Sequence, residues 1–91
     1  MNAIWKYEIP IQSAGAFTLR IPQGAKLLAV QKQDDVPMLW ALVETINAKV
    51  GREFLVQGTG HEFAIGKGFE YVATWQSGLY VWHLLDKGEV S

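Results

Sequence analysis

The sequence predicts an all-β fold, a small antiparallel β-sandwich or barrel of about six to seven short strands. Three observations carry this. Apolar and polar residues alternate at period two along most of the chain, as in strands with one buried face. Turn-forming residues recur every ~8–14 positions. No stretch has the apolar spacing of an amphipathic helix of useful length. With 91 residues the chain is one β-rich domain, 1–91, with room for a single core.

The first strand is predicted over 3–9, where Ala3, Trp5, Tyr7 and Ile9 alternate with Ile4, Lys6 and Glu8; Pro10 ends it. Ile11 to Gly15 carries turn residues. Phe17, Leu19 and Ile21 then share a face, and Pro22-Gln23-Gly24 closes that strand, fitting a type I turn that begins at Ile21. Ala25 to Gln33 is apolar enough at its start to predict a position near the sheet centre, with Leu28 and Val30 facing opposite to Leu27 and Ala29.

Asp34-Asp35-Val36-Pro37 predicts a hairpin turn. Met38 to Ile46 is the most continuous apolar run, and Leu39-Trp40-Ala41-Leu42-Val43 fits either a buried strand or a short helix by periodicity alone. Its neighbours and the β-branched Thr45-Ile46 favour the strand, with Trp40 in the central core. After a turn at 47–51, Phe54 and Val56 alternate with Glu53, Leu55 and Gln57. Beyond a glycine-rich loop, Phe69, Tyr71, Ala73 and Trp75 form one face of the next strand. Ser77-Gly78 is a tight-hairpin connection. In the last strand, 79–85, Tyr80, Trp82 and Leu84 lie on one face and Leu79, Val81, His83 and Leu85 on the other, both largely apolar. A polar tail is expected from about residue 86.

Composition narrows the function classes. Eight basic and nine acidic residues give a net charge of −1 with no block of like charge, which disfavours a nucleic-acid binder. Without cysteine there is no disulfide framework or thiolate metal site, which suits a reducing compartment. The first residues show no basic segment followed by an apolar run, and no run of about 18 apolar residues appears, so neither a signal peptide nor a membrane span is expected. The expected location is the cytoplasm.

The segment 58–68 is the exception to the strand pattern. Gly58, Gly60, Gly66 and Gly68, with His61, Glu62 and Lys67, describe a backbone with unusual dihedrals. One reading makes it an anion site, with the N–H groups of Gly58, Thr59 and Gly60 and the Lys67 ammonium around a phosphate or carboxylate. The other makes it a structural Ω-type loop. It is not a phosphate-binding P-loop, because Gly66-Lys67-Gly68 lacks the spacing and the following Ser or Thr. His61 beside Glu62 has the residue types of an acid–base pair, but neighbours on an extended backbone point apart and no nucleophile completes a triad. No catalytic residue is assigned. His61 and His83 lie on separate elements without ligand spacing, so no metal and no cofactor is expected. His83 fits a histidine whose nitrogens are satisfied within the fold.

Four elements resemble a family of short proteins of tailed phages and prophages that has no assigned function. They are Lys6-Tyr7-Glu8-Ile9-Pro10, the run from Pro22 to Gln31, Leu39-Trp40-Ala41-Leu42-Val43, and Gly58-Thr59-Gly60-His61. Glu62 stands where the resemblance leads one to expect a proline. The resemblance implies a phage or prophage source and a protein of the host bacterial cytoplasm that binds a host protein or protein complex, including components of host defence.

The expectation is therefore a non-catalytic binder that inhibits a host defence system. The host protein is expected to engage a β-sheet edge or aromatic face, and Gly58, Thr59, Gly60, His61, Glu62 and Lys67 are the binding residues expected in the loop; the alternative is a sponge for a small anionic ligand such as a nucleotide signal, with the glycine loop forming the pocket. The doubly apolar last strand predicts a homodimer whose pairing surface includes Tyr80, Trp82 or Leu84.

Overall fold

The structure is a computed structural model that describes every residue except Gln12, Ile65, Lys67 and Ser91. Seven strands form it: β1 (Asn2–Glu8), β2 (Gly15–Pro22), β3 (Lys26–Gln33), β4 (Val36–Glu44), β5 (Lys49–Gly58), β6 (Glu70–Ser77) and β7 (Tyr80–Val90). They build two antiparallel sheets, a three-stranded one in the order β1-β4-β3 and a four-stranded one in the order β2-β5-β7-β6. The period-two pattern decides which faces meet. Ile9, Val30, Leu39, Phe54, Val56, Trp75 and Leu84 are buried together, and Ile21, Ala25, Ala41 and Val43 extend the core toward the other end. Phe17 and Phe54 are cross-strand partners whose rings stack at 5.3 Å. Among the described residues no helix is long and apolar enough to cross a membrane.

The two ends of the sandwich differ. One gathers the end of β1, the Asp34–Asp35 turn, the Gly58 end of β5 and the connection between β6 and β7. The other gathers the start of β1, the segment 45–48 and the end of β7. We call the first the mouth.

Several expectations change. The most apolar strand, β4, is the centre of its sheet, and β3 is an edge. Trp40 is not in the core. Leu39, Ala41 and Val43 take the inward phase, so Trp40 lies half-buried on the outer face with the Lys6 ammonium 5.7 Å from its ring. Two β-bulges reset side-chain phase. The one between Leu27 and Ala29 turns Leu28 outward and lets Val30 join Leu27 inside. The one between Tyr71 and Ala73 separates Tyr71 from the buried Trp75.

Turn chemistry also departs from expectation. The turn after β2 starts one residue later, with Ala25 N–H donating to the Pro22 carbonyl and Gly24 at φ 78°, which is type II geometry. The β6–β7 turn is Gly78-Leu79, and it leaves Leu79 fully exposed. The polar tail is absent as such, because β7 runs to Val90 and Asp86 is buried. A bulge between Glu53 and Phe54 lets β7 stay paired with β5 through this polar stretch.

Candidate functional site

Residues from β1, β4, β5, β6 and β7 converge at the mouth. Between the sheets lies a cavity of about 280 Å³ lined by Ile9, Ile11, Val36, Pro37, Trp75 and Trp82, with Glu8, Lys32 and Asp35 also on its wall. Each strand delivers its residue through the inward phase: Trp75 and Trp82 are cross-strand partners on β6 and β7, and Val56 closes the floor. Tyr80, 63 % exposed, stacks on Trp82 at 5.7 Å and extends the aromatic surface outward. The Lys32 ammonium donates to the Gln76 carbonyl at 2.9 Å and lies 3.7 Å from Asp35, bridging the two sheets at this end. The cleft thus combines apolar walls with a comparable polar share from Glu8, Lys32, Asp35 and Ser77, the chemistry of a pocket for an apolar group carried by a polar partner.

The glycine segment borders this end. The His61 ring and the Trp82 indole both pack on Gly58, where an added Cβ would stand 2.9 Å from His61 Nδ1 and 3.3 Å from Trp82 Cζ3. Gly58 is therefore required for a close approach of side chains. Two of the segment's N–H groups are spent inside the fold, Thr59 N–H on the Val81 carbonyl at 3.1 Å and His61 N–H on the Gly58 carbonyl at 3.2 Å. An anion cradle needs successive N–H groups pointing outward. Glu62 is exposed, and among the described residues no hydrogen bond joins it to His61. Lys67 lies outside the described residues.

On the outer face of the four-stranded sheet, His83 is held at both ring nitrogens. Nε2 lies 2.7 Å from Thr59 Oγ1; Nδ1 lies 2.8 Å from the Tyr71 hydroxyl and 3.1 Å from Thr74 Oγ1. Thr59 Oγ1 in turn donates to the Val81 carbonyl. A neutral imidazole that donates from Nε2 and accepts at Nδ1 satisfies every group in this chain. Among the described residues no carboxylate bonds the His83 ring. Among the described residues no group of three or more His, Cys, Asp or Glu is placed to hold a metal ion.

A family model described as a domain of unknown function, DUF7352, matches residues 1–90. The chain belongs to the DUF7352 family. Among curated proteins and among solved structures nothing matches the chain. The DUF7352 match covers every strand, so the mouth cleft and the His83 network both lie within the family domain.

Of the residues singled out on the sequence, the structure brings Gly58, His61, Trp82 and Tyr80 together at the mouth. It separates Leu84 from them. Leu84 has no exposed surface and belongs to the core, so it cannot contribute to a pairing surface of the folded chain. Sequence reasoning missed Ile9, Ile11, Val36 and Trp75 as a set, because Ile9 and Trp75 read as ordinary strand residues and Ile11 and Val36 as turn residues until the strand order shows that they share one open end.

Proposed function

We propose that this chain is a non-catalytic, phage-encoded binding domain that acts in the host bacterial cytoplasm on a host protein, and that the mouth cleft is its recognition surface. One observation carries the reading. The sandwich is open between Trp75 and Trp82 on one side and Ile9, Val36 and Pro37 on the other, over a floor made by the core residue Val56. Binding hot spots are enriched in aromatic residues set in apolar pockets with a polar rim, and Tyr80 on Trp82 supplies that arrangement. The phage source and the host partner rest on the resemblance of Lys6-Tyr7-Glu8-Ile9-Pro10, Pro22–Gln31 and Gly58-Thr59-Gly60-His61 to small phage proteins. Inhibition of a defence component is the activity that fits such a partner.

The test is capture from a bacterial host lysate with the tagged chain, identification of the retained protein, and measurement of its affinity for variants. Tyr80→Ala and Val36→Glu, which strip or charge the cleft, should weaken binding at least tenfold, equivalent to about 1.4 kcal/mol. His61→Ala with Glu62→Ala should leave it within about threefold. If the loop variant loses binding and the cleft variants keep it, the recognition surface is the glycine segment and the cleft reading is wrong.

A further inference from the structure

We propose that β1 is a homotypic pairing edge, through which two copies of this chain join their three-stranded sheets into one continuous sheet. The phase of its backbone supports this. Thr45 N–H donates to the Met1 carbonyl at 2.9 Å and Ile9 N–H to the Pro37 carbonyl at 3.0 Å. The β1–β4 register between these bonds is unbroken. In an antiparallel ladder hydrogen-bonded pairs alternate with non-bonded ones, so Met1, Ala3, Trp5, Tyr7 and Ile9 spend their amides on β4. The N–H and C=O groups of Asn2, Ile4, Lys6 and Glu8 point to the free side. Among the described residues no turn, loop or cap bond uses them.

Free edges invite pairing, and folds blunt them with bulges, prolines, charges or cover. The other three edge strands show such devices. β3 and β6 each carry a bulge, and Lys32 ties one to the other through the Gln76 carbonyl. β2 is bounded by Gly15 at φ 153° and by Pro22, and it carries Arg20, bonded to the Lys49 carbonyl. β1 has seven residues in straight register with neither bulge nor proline. Its central charge, Lys6, leans over Trp40, and Ile4 beside it is 62 % exposed across from Leu42.

Symmetry and charge select the register. A two-fold axis at Trp5 sets Asn2 opposite Glu8 and Ile4 opposite Lys6, which uses every free amide of the strand. Centring the axis on Lys6 would put like charges face to face. Centring it on Tyr7 would bring Pro10, which has no N–H, opposite Ile4. Centring it on Ile4 leaves Glu8 unpaired. The Trp5-centred register is therefore the one a second copy takes. The edge meets the mouth cleft only at Glu8, which lies on the cleft wall.

Light scattering at about 100 μM, where a dimer with Kd of about 10 μM is mostly assembled, should give twice the 10.2 kDa of one chain. Ile4→Pro deletes a free N–H without touching the β4 ladder and should give a monomer. Ile4→Lys, which through an exposed side chain sets a second lysine opposite Lys6 in the Trp5-centred register, should do the same and decides the matter if the proline variant fails to fold. Trp5→Cys, in a chain free of other cysteines, should oxidise to a disulfide-linked dimer, because facing residues of a non-bonded pair have Cα atoms about 4.5 Å apart. A monomeric parent at 100 μM, or a dimer that survives Ile4→Lys, overturns the proposal.

Discussion

The Arg52 guanidinium grips the Asp86 carboxylate at 2.7 Å, with side chains only 14 % and 7 % exposed. Arg52 also donates to the Ala25 carbonyl at 2.6 Å, and Asp86 Oδ1 accepts the Gly88 N–H at 2.8 Å. One ion pair thus fastens β7, β5 and the start of β3 at the end opposite the mouth. Removing one partner leaves the other charge buried alone, which costs about 3–5 kcal/mol. Asp86→Ala should therefore be among the most destabilising single changes, read as a lower urea midpoint. Arg52→Met with Asp86→Leu should recover most of the loss.

Trp40 should matter far less to folding than its size suggests. On the outer face of β4 it loses only part of its surface, so Trp40→Ala should cost about 1–2 kcal/mol. Phe54→Ala, from a fully buried site, should cost about 3–5. Parallel urea titrations of the two variants check the ranking.

The β3–β4 turn holds Asp34 and Asp35 at φ 52° and 65°, the left-handed pair of a type I′ hairpin. Asn-Gly suits that geometry better than two aspartates. Asp34→Asn with Asp35→Gly should add about 0.5–1 kcal/mol. The melting temperature should rise by a few degrees, even though the exposed contact of Asp35 with Lys32 is given up.

Tyr7 has a buried hydroxyl with no hydrogen-bond partner among the described residues, and burial pushes its pKa above the ordinary 10.0. The folded state therefore favours the protonated phenol. Its contribution is complete below pH of about 10 and is lost as pH rises through the higher folded-state value. Tyr7→Phe should leave stability at pH 7 unchanged or slightly raised. It should also make alkaline unfolding begin at higher pH than in the parent.

Gly58→Ala should be tolerated only if the His61 ring moves. The added methyl meets a flexible, exposed side chain on one side and the Trp82 ring on the other. The single change should cost about 1–2 kcal/mol, and His61→Ala in the same chain should return part of it, a coupling read from a double-mutant cycle.

The strands were legible because alternation survives in each of them. Trp5, Tyr7 and Ile9, or Phe17, Leu19 and Ile21, announce their inward face directly. Where a bulge inserts one residue, as at Leu28 or before Ala73, the period is reset by backbone geometry that leaves no compositional trace. Trp40 misled for a different reason: β4 is apolar on both faces, so alternation could not choose between them. Asp86 reads as tail because its partner, Arg52, stands far away in sequence. The cleft was illegible in the same way, being a property of strand order. The closeness of Gly58 and His61 was not legible, since the four glycines signalled unusual dihedrals and not which side chain packs on Gly58.

Both termini leave the sandwich at one end. Asn2 pairs with Glu44 and Val90 with Gly51, while the Trp75–Trp82 cleft opens at the opposite pole. A tag, a surface linkage or a fused second domain, attached at either terminus, therefore stands a full strand length away from the cleft. Such a chain can be immobilised from either side with its aromatic opening facing solution, and a sensor chip loaded in both orientations should report the same affinity.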